Sequence, residues 1–356
     1  MRFLAALSIL AILFSSCKEG GDSPSLFDSY DHQSWRNYTA DSIIQPALVD
    51  YHQACEDMSA AFLPFQQNPN QTHLDSLQLR FEEAYKAFMV VEGYGFGASA
   101  NLQVNTFSNT FPTDTHTIHQ NFTSTYDLTA VNQIDAQGFP ALDYLLFFGG
   151  DSMVLENFKN KQGQLAYTQD IMGRLEQMAL LLSTEWNSNY GPSFKDAAGP
   201  QVGGALGEFV NAFNFNIELS KRARIGIPVG NFSAGIPLPS KSEALYSGLS
   251  NELLIANIEA RKRDFSKGGG KSLAGLLNHL NAQHRGEPLA DRIDQELDLV
   301  LSTVQGFQNP VSELVISNPS QVQNTFNALQ STVVLTKVDM PSQMGVQITY
   351  QDNDGD

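Results

Sequence analysis

Asp143 is the only charged residue in the apolar stretch QGFPALDYLLFFGG, residues 137–150. A carboxylate in such a setting has to meet a cation or hydrogen-bond donors once the chain folds, because an unpaired buried charge is strongly unfavourable. Asp114, His116 and His119 in DTHTIHQ form a second candidate group. The two imidazoles are three positions apart, a spacing that could place both on one helical face as metal ligands; a polar helix start explains the same residues without a metal. Cys55, in HQACED, could be a nucleophile only with a base held against the thiol, and only His52 is close in sequence. A small core residue is the simpler reading. Among the basic residues of KRAR (221–224) and RKR (261–263), Arg222 and Arg224 could line a site for an anionic group or neutralise buried acids.

Two further fragments carry less. GGGKS at 268–272 resembles the end of a phosphate-binding loop, but Phe265 stands where the first glycine belongs and the preceding NELLIANIEARKRD reads as helix rather than strand. Asp352, Asp354 and Asp356 have the spacing that opens a calcium loop, yet no distal glutamate follows, so they read as a solvated acidic end.

Helices must position these groups. Leu77, Phe81, Tyr85, Phe88 and Val91 recur in three- and four-residue steps, as do Ile171, Leu175, Met178, Leu182 and Trp186, then Leu289, Ile293, Leu297, Val300 and Val304, and finally Val322, Phe326 and Leu329. Asp75 and Glu287-Pro288 read as start signals. Pro140 fits the first position of a helix, which would set Asp143 near the first turn, where unpaired N–H groups and the helix dipole favour a carboxylate. The remainder of that helix is apolar almost all round and should be buried. Glycine, proline, asparagine and serine interrupt the rhythm at 187–204, the best candidate boundary. Only the end, VVLTKVDMPSQMGVQITYQ, lacks helical rhythm, and a short strand or hairpin is expected there. The expected class is therefore all-α, with two helical-bundle halves (31–190 and 191–338) and a short extended acidic tail (339–356).

The chain has 356 residues, 42% hydrophobic and 17% charged, enough to bury sizeable cores. A formal net charge of −17 argues against a nucleic-acid partner, which needs a basic footprint. The N-terminal MRFLAALSILAILFSSC has one arginine, an apolar block from Phe3 to Phe14, two serines and Cys17. It is too short to span a bilayer and reads as a signal peptide, residues 1–17. The small residues before Cys17 resemble a lipobox, which would make Cys17 a lipidation site and 18–30 a flexible tether. Lys18 and Glu19 are similar to export signals of bacterial surface lipoproteins. With Cys17 lipidated, Cys55 has no partner for an intramolecular disulfide.

GFPALDYLLF resembles the imelysin signature G-x-H-x-x-E within GFHAIEYLLF, with Gly138 retained, Pro140 in the histidine position and Asp143 in the glutamate position. FEEAYKAFMVVEGYGFG (81–97), NTFPTDT (109–115), KRARIGIPVG (221–230) and SEALYSGLSNELLIANIEA (242–260) extend the likeness over most of 40–356. The resemblance implies an all-helical exported protein, often a lipoprotein of the periplasm, outer membrane or cell surface. It also implies two candidate activities, metallopeptidase action and a part in iron uptake. A His-x-x-Glu pair could offer nitrogen and carboxylate to a divalent metal, but proline has no donor atom. No H-E-x-x-H or comparable element replaces it. The expectation is a non-catalytic protein without a confident cofactor, binding an unidentified ligand or partner. The alternative is a metallopeptidase or metal-binding protein holding iron or zinc through Asp143, Asp114, His116 and His119.

Overall fold

The apolar steps do become helices with their stepped residues inside. A computed structural model describes residues 25–350, so Cys17 and the aspartates at 352, 354 and 356 lie outside it. The first half contains α1 (Gln45–Gln67), α2 (Gln71–Val91), α3 (Gly138–Phe147), α4 (Asp151–Asn160) and α5 (Gln162–Glu185). The second contains α6 (Ala205–Leu219), α7 (Ser250–Ser266), α8 (Leu289–Gln305) and α9 (Pro319–Val334). In α2, Leu77, Phe81, Tyr85 and Phe88 are all fully buried, as are Leu289, Ile293, Leu297 and Val300 in α8. Helix α1 packs on both α2 and α5, and α7 packs against α2, so one contiguous apolar cluster runs through both halves. Among the described residues no helix is long and apolar enough to cross a membrane.

Proline shapes the ends of these helices in a recurrent way. Four π-helical segments occur among the described residues: Thr39–Ile44, Trp186–Tyr190, Ser220–Gly226 and Leu335–Asp339. Each is followed two residues later by a proline, at Pro46, Pro192, Pro228 and Pro341. Proline has no N–H, and its ring crowds the carbonyl four residues back. The ladder therefore slips to the wider i→i+5 spacing just before each proline, and the chain continues as helix instead of stopping. Arg224 lies within the π-helical segment Ser220–Gly226 that follows α6.

Several local expectations change. Helix α2 begins at Gln71, not after Asp75: the Asn70 side chain accepts the His73 N–H and caps it. Helix α3 begins at Gly138, two residues before Pro140, so the proline sits inside the first turn and Asp143 falls beyond it. The expected C-terminal strand is absent among the described residues. The backbone there stays helical through Met340–Met344, and only the segment after Gly345 is extended, held on α6 by Asn211. The two short strands that do form, Gln283–His284 and Glu287–Pro288, pair antiparallel around Arg285 and Gly286, whose positive φ values of 51° and 88° make the turn.

Candidate functional site

Helix α3 is fixed by its first two residues. Gly138 has φ +73°, and a Cβ there would lie 2.3 Å from the Ser108 carbonyl oxygen, so only glycine fits. Phe139 stacks on Tyr85 at 4.5 Å with the rings 8° from parallel and also packs against Phe81 and Phe88, which locks the helix into the core of the first half. Pro140 lies where the backbone N–H has no intrahelical partner, so the helix tolerates it.

Asp143 projects from this anchored helix toward the segment that precedes α7. Its Oδ2 accepts the Tyr246 N–H and its Oδ1 the Ser247 N–H, both at 2.9 Å. Its partners are thus neither the N–H groups of its own helix nor Arg222 or Arg224. The side chain is 2% exposed. Burial pushes its carboxyl up to about 6; the Ser247 and Tyr246 hydrogen bonds pull the other way, and Glu243 adds to the rise.

Glu243 belongs to a larger buried network. Arg224 donates from Nε to Glu243 Oε2 at 2.7 Å and from Nη2 to Glu92 Oε2 at 2.7 Å, with all three residues less than 5% exposed. Asn109 Nδ2 donates to Glu243 Oε1 at 2.7 Å, and Asn216 Nδ2 to Glu92 Oε2 at 2.8 Å. Tyr85 closes the circuit by donating to Asn109 Oδ1 at 2.6 Å. Burial alone would lower the Arg224 pKa, but the Glu243 and Glu92 carboxylates outweigh it and hold the guanidinium above its ordinary value. Of the two arginines raised as candidates, Arg224 is thus the partner of buried acids, and the Arg222 guanidinium lies 4.4 Å from the centre of the Phe232 ring.

Between α3 and the 240–246 segment lies a cleft of about 210 Å³. Phe111, Pro112, Pro140 and Tyr246 form part of its wall, and Asp143 and Lys241 also line it. The Ser242 hydroxyl, on the same wall, is buried with no hydrogen-bond partner. This arrangement can hold a small polar molecule. It is poorly suited to a metal: Pro140 offers no donor atom, and both Asp143 oxygens already accept backbone N–H groups.

The DTHTIHQ residues are spent elsewhere. Asp114 caps the short helix Thr115–Asn121 by accepting the N–H groups of His116 and Thr117, and the Thr117 hydroxyl bond leads the causes that hold its carboxyl below the usual range. His116 bonds to Gln120 and His119 to the Tyr144 hydroxyl at 2.7 Å. Burial, Lys161 and His116 lower the His119 pKa. Among the described residues no three His, Cys, Asp or Glu side chains gather as a metal site. Cys55 is fully buried, and burial pushes its thiol up to about 12, far from a reactive thiolate. GGGKS follows a helix, and its Ser272 caps the next one by accepting the Gly275 N–H.

Residues 44–338 match the imelysin (peptidase M75) family, and the chain belongs to it. Solved structures share the fold, among them two that align over most of this chain. An imelysin-like protein from Psychrobacter arcticum 273-4 aligns at TM-score 0.70 and 16% identity over 90% of this chain and 97% of its own. A protein from Parabacteroides distasonis ATCC 8503, provisionally named an iron-regulated protein A precursor, aligns at TM-score 0.74 and 16% identity over 91% and 97%. No curated protein sequence matches.

Two outcomes follow from this geometry. Replacing Arg224 by methionine leaves Glu92 and Glu243 buried without their cation and should lower the unfolding free energy by roughly 3–5 kcal/mol in urea titrations; a change under about 1 kcal/mol would show that the carboxylates are relieved by protons or water. For Asp143, a folded pKa raised from 3.8 to about 6 means the native state holds the extra proton. Its contribution to stability is full below about pH 4 and is lost as pH rises through 6. Compared with an Asp143→Asn variant, which does not titrate, the native protein should lose on the order of 3 kcal/mol between pH 4 and 7. A pH-independent difference would contradict the raised pKa.

Proposed function

We propose that this protein is a non-catalytic member of the imelysin family that binds a small polar ligand in the cleft beside Asp143. The observation that carries the reading is the state of the signature itself. Its histidine position is the donorless wall residue Pro140, and its carboxylate is committed to the Tyr246 and Ser247 N–H groups. Water activation for peptide cleavage would need a Lewis acid and a base at one place. Ligand binding needs only the shape of the cleft and its polar groups, Lys241 and the Ser242 hydroxyl among them. A link to iron uptake is part of the proposal and draws support from the name of the Parabacteroides relative. So is the location: Cys17 carries the lipid, the early part of 18–30 forms the tether, and the folded part stands at the outer membrane or cell surface, where it meets its ligand or a protein partner. The end of that segment packs on the fold through the buried Tyr30, whose hydroxyl donates to the Gly270 carbonyl.

Elemental analysis of the purified protein, prepared without chelators, should find no stoichiometric zinc or iron, and peptides should remain uncut. One tightly held metal per chain, removed by chelator together with proteolysis, would restore the metallopeptidase reading. Separately, a Cys17→Ser variant should move from the membrane fraction to the soluble fraction. Retention on washed membranes would sink the lipid anchor and leave the cleft untouched.

A further inference from the structure

A second site lies on the outer surface of the first half and shares no lining residue with the Asp143 cleft. Gln66 Nε2 donates to Gln169 Oε1 at 2.9 Å near one end of the α1–α5 pair, and Gln45 Nε2 to Asn187 Oδ1 at 3.2 Å at the other. These two bonds hold the helices antiparallel, and Glu56 and Ser59 of α1 and Gly173 and Glu176 of α5 line the space between them. Between the helices at this level is a groove of about 430 Å³, within the size range of small-molecule sites.

Its floor is Phe62, Leu63 and Met172. Leu63 is 52% exposed, an apolar side chain facing water beside an open channel. Gly173 borders the open part of the groove. It sits inside a 24-residue helix, where glycine is a poor helix former, and a Cβ there would meet nothing within 4 Å. No backbone strain or close packing at Gly173 calls for glycine. The Ser59 hydroxyl oxygen, on the opposite wall, is buried and unpartnered.

Charge selects the occupant. Glu56 and Glu176 both line the groove, one from each helix, and none of the described lining residues is basic. His52 Nε2 lies 3.9 Å from the Glu56 carboxylate. From Glu56 to Leu63 the helix advances about 10 Å, the reach of a short alkyl chain. We propose that this groove binds a small organic cation, an ammonium group on an apolar stem. The ammonium lies between the two carboxylates and within reach of the Ser59 hydroxyl, and the stem covers Phe62, Leu63 and Met172.

The probe is n-hexylammonium, titrated calorimetrically into the intact protein, with hexanoate as the reversed-charge control. Hexylammonium should bind saturably and hexanoate should not. Replacing both Glu56 and Glu176 by glutamine should weaken binding by about tenfold or more. Gly173→Leu should abolish it by filling the channel, whereas Gly173→Ala, which adds one methyl to open space, should retain it. Circular dichroism and melting of each variant separate loss of binding from loss of fold. No saturable hexylammonium binding, equal binding of hexanoate, or unchanged binding in a folded Gly173→Leu protein overturns the proposal.

Discussion

The ion pairs of Arg224 with Glu92 and Glu243 tie the two halves together. Glu92 directly follows α2 in the first half; Arg224 lies in the π turn after α6 and Glu243 on the segment leading to α7, both in the second. A buried ion pair adds little stability over well-packed apolar residues, because desolvation offsets most of the attraction. Its consequence here is positional. Holding Glu243 fixes the 243–247 segment, and three residues later that same segment delivers the Tyr246 and Ser247 N–H groups to Asp143. One wall of the cleft is therefore fastened at two points, by a cation on one side and by a carboxylate on the other.

The two fastenings differ in electrostatic character. Arg224 stays charged because it faces two carboxylates and receives further support from Ser220. Among the described residues no cation faces Asp143, and its Ser247 and Tyr246 hydrogen bonds do not fully offset its burial. The Arg224 guanidinium therefore keeps its charge, whereas the bond from α3 to the 246–247 backbone changes charge state near pH 6.

Much of the fold was legible because apolar periodicity is a local signal. The steps in α2, α5, α8 and α9 mark the buried faces, and Pro140 with the apolar run after it located α3 to within two residues. The partners of Asp143 were not legible: they are backbone N–H groups a hundred positions away, which no side-chain pattern encodes. Glu92 and Glu243 also went unrecognised as a pair. Each sits in a stretch noted for its family likeness, VEGYG and SEALYS, but nothing local says that an acid in one and an acid in the other share Arg224. The C-terminal error has a physical cause. Val333, Val334 and Val338 with Pro341 and Gly345 look like a strand and its turn, yet the i→i+5 slip before Pro341 lets the helix absorb that proline and run on to Met344.

The same contrast accounts for the form of the altered signature. Gly138 is required by a positive φ and by the Ser108 carbonyl 2.3 Å from any Cβ, whatever the cleft contains. Asp143 is required by two backbone donors that would otherwise be buried without acceptors. Both residues therefore have duties in the fold that are independent of any metal chemistry. Residue 140 has no such duty: it lies in the first turn, where the N–H has no intrahelical partner, and its side chain faces the cleft. A proline there leaves the helix, its anchor on Phe139 and the Asp143 bonds intact while removing the one donor atom that histidine would have placed in the cleft. The larger of the two departures from the signature, histidine to Pro140, thus falls where the fold imposes least and the cleft's chemistry depends most, whereas the smaller, glutamate to Asp143, keeps the carboxylate that the fold uses.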